Sequence, residues 1–172
     1  MEKSVNEQSS KSHIKIDDIK RTLQSGDINN AILLSKQVLD TQDNNQNNLQ
    51  EKNEVLYLLA VSQRTKGLIN EANETVKTLI AADPNHARAH QENGYLSLSE
   101  GNKSNAATAF AKATRLNPAL LSSWQKLAPL YHDLNHIEGQ KFVTQRIEYL
   151  MQLPAEIRGA QDLMYEGKLG LA

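Results

Sequence analysis

The chain contains no cysteine. That excludes disulfides and thiolate metal sites, and it gives no sign of an oxidising compartment. Aromatic residues make up only 5% of the 172 residues. With Ala and Leu common, the composition suits helices better than strands. No strong charge of either sign accumulates: the net charge is -1, so there is no electrostatic case for a general affinity for nucleic acid or anionic membrane. Long apolar runs are also missing. The longest, Val55 to Val61, falls far short of the roughly 20 residues that a membrane-spanning helix needs, so no membrane insertion is expected. The N-terminal "MEKSVNEQSSKSH" is polar and lacks the apolar core of a signal peptide. A cytoplasmic protein is expected, with residues 1–12 as a disordered tail. There is no G-x-x-x-x-G-K-[ST] loop and no G-x-S-x-G elbow. The carboxylates are scattered without a recognisable catalytic pair, so no catalytic residue, metal or cofactor is expected of this chain.

What is present is repetition. "EGNKSNAATAFAKATRLNP", Glu100 to Pro118, echoes "KGLINEANETVKTLIAADP", Lys66 to Pro84, at a displacement of 34 residues. Gly67 aligns with Gly101, Ala72 with Ala106, Val76 with Phe110, and Asp83-Pro84 with Asn117-Pro118. Ala106, Phe110 and Ala113 stand at spacings that share one helical face. Each unit therefore reads as helix, glycine turn, helix and closing proline. The phase divides residues 13–172 into units at about 13–45, 53–86, 87–120 and 121–153, with a partial unit at 154–172. Unit one draws its first stripe from Ile16, Ile19 and Leu23, turns at Ser25-Gly26-Asp27, and is separated from unit two by the polar "DTQDNNQNNLQEK". That stretch is expected to be an exposed loop with helix at its end. In unit four, Gln140 and Thr144 occupy places where apolar residues would be usual. Its second helix is expected to rotate or lengthen so as to use Ile137, Phe142, Val143, Ile147 and Leu150.

Each unit carries more apolar surface than two helices can bury, so neighbouring units must cover one another. Ala60, Gly94 and Ala128 are small enough for close crossings, and Leu56, Phe110 and Trp124 fill the remaining volume. Pro129 interrupts an otherwise helical pattern. It is either a tolerated kink facing solvent or a deliberate bend that widens a groove. His86/His90 and His132/His136 have i,i+4 spacing, but without H-E-x-x-H they read as surface or packing histidines rather than metal ligands.

The W-x2-L-A-x2-Y spacing at Trp124, Leu127, Ala128 and Tyr131 resembles the first helix of a tetratricopeptide repeat. Ala106, Phe110, Ala113 and Pro118 resemble its second helix, at that family's period of 34. The resemblance implies an all-α, right-handed superhelical solenoid whose first helices line a concave face. By that resemblance Glu54, Tyr57, Val61 and Arg64 face the groove from unit two. Arg88, Gln91, Tyr95 and Leu98 face it from unit three, and Ser122, Gln125 and His132 from unit four. It implies a non-catalytic scaffold that binds a protein or peptide partner, with Tyr57, Arg64, Arg88, Gln91, Tyr95, Gln125 and His132 as candidate contacts. The alternative for Tyr57 and Tyr95 is packing against neighbouring helices. Tyr57 and Val61 stand where one family subtype uses Lys and Asn to grip a C-terminal carboxylate, which argues against that clamp. The tail "LPAEIRGAQDLMYEGKLGLA" resembles the start of a further repeat. It is also similar to the N-terminal repeat region of bacterial tetratricopeptide–sulfotransferase fusions, so the second reading is a piece of a larger enzyme. On either reading Leu163, Met164, Leu169 and Leu171 are expected to form an apolar patch that self-associates or packs back on unit four.

Overall fold

The computed structural model describes residues 15–41 and 49–167. Among them run nine helices and no strand: α1 (Ile16–Gln24), α2 (Ile28–Thr41), α3 (Leu49–Thr65), α4 (Ile69–Ala82), α5 (Ala87–Ser99), α6 (Lys103–Leu116), α7 (Leu121–Asp133), α8 (Ile137–Gln152) and α9 (Ala155–Tyr165). The polar stretch between units one and two ends in helix as expected, since α3 starts at Leu49. Residues 42–48, the N-terminal tail, Leu169 and Leu171 lie outside the described residues.

The turns follow from backbone chemistry. Gly67, Gly101 and Asn135 fall 34 residues apart, and all three have positive φ. Glycine meets no steric penalty there, and asparagine is among the few side chains that tolerate it. Each residue sits one position before the amide that closes the helix end. Leu68 N–H donates to Gln63 O at 2.9 Å, Asn102 N–H to Ser97 O at 2.8 Å and His136 N–H to Tyr131 O at 2.8 Å. These six-residue closures satisfy carbonyls that the helix end would leave orphaned. Gly26 (φ 82) and Gly167 (φ 66) make the corresponding turns in unit one and after α9, so the tail does begin like a further repeat.

Packing runs from neighbour to neighbour. Within each unit the two helices pair, and each second helix also packs on the first helix of the next unit; α1 further touches α3, and α3 touches α5. The inner first helices are thus covered from several sides. This explains why α3 buries Asn53, Val55, Leu56, Leu58, Leu59, Ala60, Ser62 and Gln63, whereas α4 buries only Ala72, Val76 and Leu79. α5 and α6 cross closely at Gly94. A Cβ built there would lie 2.8 Å from the fully buried Phe110 ring. Gly94→Ala is therefore expected to destabilise the protein by about 1–3 kcal/mol through overpacking, and Ala106→Leu by a similar amount. Urea midpoints unchanged in both variants would contradict the close packing of α5 on α6.

Unit four departs from expectation in part. α8 is longer than α4 and α6, and it buries Val143 and Leu150, as anticipated. Ile137 and Phe142, however, are 74% and 60% exposed. Phe142 keeps only an edge contact with Trp124, at 5.9 Å between ring centres. Among the described residues α8 packs closely only on α7, so one apolar stripe is covered and the other is not. Pro129 lies inside α7 and is exposed, with the helix continuing to Asp133.

Candidate functional site

The face made by the first helices holds the residues singled out by the resemblance, but it brings them together unevenly. Arg64, on the last turn of α3, is engaged internally. Its Nε donates to Glu92 Oε2 at 2.6 Å, and its guanidinium carbon lies 4.8 Å from the centre of the Tyr95 ring. Tyr95 in turn meets Phe110 edge-on at 5.2 Å. The packing alternative for Tyr95 thus has direct contacts behind it. Gln91 is buried and donates from Nε2 to Ser122 Oγ at 2.6 Å, joining α5 to α7. Glu54 pairs with Lys20 at 3.0 Å. Val61 and Leu98 are half-buried, and Gln125 and His132 are exposed on α7.

Tyr57 and Arg88 form a different centre. Tyr57 is half-buried, with its ring 5.9 Å from the His86 ring. Burial pushes its phenol above the ordinary tyrosine range, while Arg88 pulls the other way. Arg88, on the first turn of α5, reaches carboxylates 74 and 78 residues further on. Its Nη2 donates to Asp162 Oδ2 at 2.5 Å, and its Nε donates to Glu166 Oε1. Burial works against the guanidinium charge, but Tyr57, Glu166 and Asp162 outweigh it and raise the pKa further. Asn117, fully buried at the end of α6, completes the grip. Its Nδ2 donates to Asp162 Oδ1 at 2.6 Å, while its Oδ1 accepts from Ala119 N–H at 3.0 Å.

The C-terminal helix therefore lies against units three and four through a polar stripe. Arg158, Asp162 and Glu166 recur every four residues, so they share one face of α9 and its closing turn. Arg158 Nη1 donates to Leu150 O at 2.9 Å, satisfying a carbonyl at the end of α8. The apolar residues are not packed: Ile157, Leu163, Met164 and Tyr165 are all exposed, and α9 has no buried residue. The expected patch at Leu163 and Met164 is present. The tail, however, is anchored by charge to Arg88 and Asn117 rather than by apolar packing on unit four. A cleft of about 640 Å³ remains beside α9, lined by Asn53, Glu54, His86, Arg88, Tyr165 and Glu166. Asn53 Oδ1 is buried in α3 without a hydrogen-bond partner.

The histidines have structural duties. His86 and His136 cap α5 and α8, accepting from Ala89 N–H and Gly139 N–H. His136 also stacks on Tyr131 at 4.6 Å. Among the described residues no cluster of three or more His, Asp or Glu side chains could hold a metal. No helix among them is long and apolar enough to cross a membrane. Sequence reasoning missed Asn117, Asp162, Glu166 and Glu92 as participants. Only the Asn117-Pro118 and Glu166-Gly167 dipeptides carried a signal, and that signal concerned turns.

Residues 87–120, unit three, match the family model of the tetratricopeptide repeat. Similar solved structures include a MamA protein, 22% identical with a TM-score of 0.61, covering 91% of this chain and 95% of that one. A MamA RS-1 double mutant is 16% identical with a TM-score of 0.65, covering 80% and 73%. TTC0263, a thermophilic TPR protein of Thermus thermophilus, is 18% identical with a TM-score of 0.56, covering 89% and 78%. No curated protein matches the chain. At these identities the likeness establishes the fold: the chain is an all-α solenoid of helical repeats, one of which, residues 87–120, matches the tetratricopeptide repeat.

Proposed function

We propose that the chain is a scaffold that binds a protein or peptide partner along the groove lined by α3, α5 and α7, and that it acts by binding rather than by catalysis. The observation that carries this reading is the arrangement at Arg88: a half-buried arginine and a buried asparagine hold carboxylates of the C-terminal helix. A surface that seats one helix by side-chain contacts has the chemistry to seat another. Solenoids characteristically use such extended faces for recognition, and Tyr and Arg are enriched among residues that dominate binding energy. Tyr57 and Arg88 line the seat, and Gln125 and His132 extend the face on α7 with side chains open to solvent. Arg64, Gln91 and Tyr95 hold the face in shape through Glu92, Ser122 and Phe110.

A photoreactive amino acid placed at Gln125 or His132 in cells should cross-link a partner more strongly than one placed at Lys77 or Thr78, which are exposed on α4. For the captured partner, Arg88→Ala and Gln125→Ala should weaken binding more than Lys77→Ala or Thr78→Ala. Equal capture and equal losses on both faces would place binding elsewhere.

A further inference from the structure

We propose that the seat around Arg88 is a receptor for a partner helix carrying two carboxylates one turn apart, and that α9 is its occupant in cis, displaced when such a partner binds. This rests on the groove reading above and specifies its ligand.

Asp162 and Glu166 are four residues apart, so they project from one side of the helix and its closing turn. Both reach Arg88, through different nitrogens of one guanidinium. Asn117 approaches Asp162 on its other oxygen. The receiving side is preformed: Asn117 is locked by its bond from Ala119 N–H, and Arg88 stands on the first turn of α5. An arginine fork matched to carboxylate geometry, with a buried amide beside it, selects negative oxygen pairs over neutral polar groups.

Apolar packing does not hold α9. Its apolar residues Ile157, Leu163 and Met164 are exposed, Tyr165 only borders the cleft, and none of its residues is buried. A permanent component of a solenoid buries its apolar stripe against its neighbour, as α3 and α5 do. α9 does the reverse, so its attachment depends on charge-assisted hydrogen bonds that an equivalent ligand can replace. The connection from α8 is short, only Leu153 and Pro154. It keeps α9 at a high effective concentration, so a free ligand binds weakly until α9 is released.

The test uses the full chain and a labelled synthetic peptide of its own α9, Pro154 to Gly167, as the probe. In the Asp162→Asn/Glu166→Gln protein, hydrogen exchange across residues 155–165 should accelerate. Fluorescence anisotropy should then show the peptide binding this variant about tenfold or more tightly than it binds the wild type. Adding Arg88→Ala to the variant should remove the gain. A peptide with Asn and Gln at the two carboxylate positions should not bind, and raised salt should weaken the acidic peptide. Circular dichroism checks that each variant keeps its helices.

Unchanged exchange at 155–165 in the double variant would overturn the cis attachment. Equal binding of the neutral peptide would overturn carboxylate recognition while leaving a groove that binds helices. Failure of the acidic peptide to bind the released variant would also overturn it. The cross-linking comparison at Gln125 and His132 does not depend on carboxylates and decides the groove reading separately. Dimers of the wild type that disappear with Arg88→Ala would identify a second copy's α9 as the occupant, in place of a partner protein.

Discussion

Phe110→Ala is expected to lower the stability of the protein by about 3–5 kcal/mol. Phe110 is the largest fully buried side chain, and its ring fills the space left by Gly94, meets Tyr95 edge-on, and joins the cluster containing Trp124, Leu127, Val143 and Leu150. The substitution removes apolar contacts in three directions. The surrounding side chains belong to α5, α7 and α8, so they cannot all move into the hole together. The denaturant midpoint should fall steeply. Because each unit leans mainly on its neighbours, units three and four should lose their cooperative link to each other, which would broaden the transition. A loss below about 1 kcal/mol would mean that the cluster relaxes freely around residue 110, contrary to the tight contact at Gly94.

The second large effect is expected from Arg64→Met, at about 3 kcal/mol. Arg64 donates to both carboxylate oxygens of Glu92, whose side chain is only 5% exposed. Removing the guanidinium leaves a buried carboxylate without its counter-charge and also removes the stack on Tyr95. The loss falls at the low end for an orphaned buried charge because Arg64 itself reaches solvent at 29% exposure. The double variant Arg64→Met/Glu92→Leu removes both charges and should lose clearly less than Arg64→Met alone. Urea titrations of the wild type, both single variants and the double variant complete the cycle. If the double variant is as unstable as the Arg64 single, the pair is not what makes Arg64 costly to lose. Either result matters for the groove, because an Arg64 substitution that weakens partner binding could act through stability alone.

Much of this was readable from the chain because it repeats. Gly67 and Gly101 announced their turns through a common phase, and Asn135 takes the same place one period later, since backbone with positive φ accepts few residue types. Gly94 announced a close crossing for a related reason: only a missing side chain leaves room for Phe110. The pairing of Arg64 with Glu92 and of Gln91 with Ser122 was not readable. Polar partners on neighbouring units depend on side-chain direction, and hydrophobic periodicity carries no record of it. α8 shows a different limit. Its pattern contained two candidate apolar stripes, and which one is buried depends on how many helices lie beside it. The seat for α9 was the least legible, because a salt bridge between residues 74 positions apart leaves no trace in either period or spacing.

The tie between Arg88 and α9 also has a consequence for the order of folding. Nearly all the other packing joins adjacent units, so the loops that must close are short and the stack can assemble quickly. The Arg88–Asp162 contact spans 74 residues and forms only once α5 to α8 have been laid down in order. It fully buries no apolar side chain of α9, so its step involves little surface, and its rate responds to ionic strength instead. The attachment of α9 is thus governed by a different variable from the packing before it: the stack of helices forms by burying apolar surface, and α9 joins it by neutralising charge.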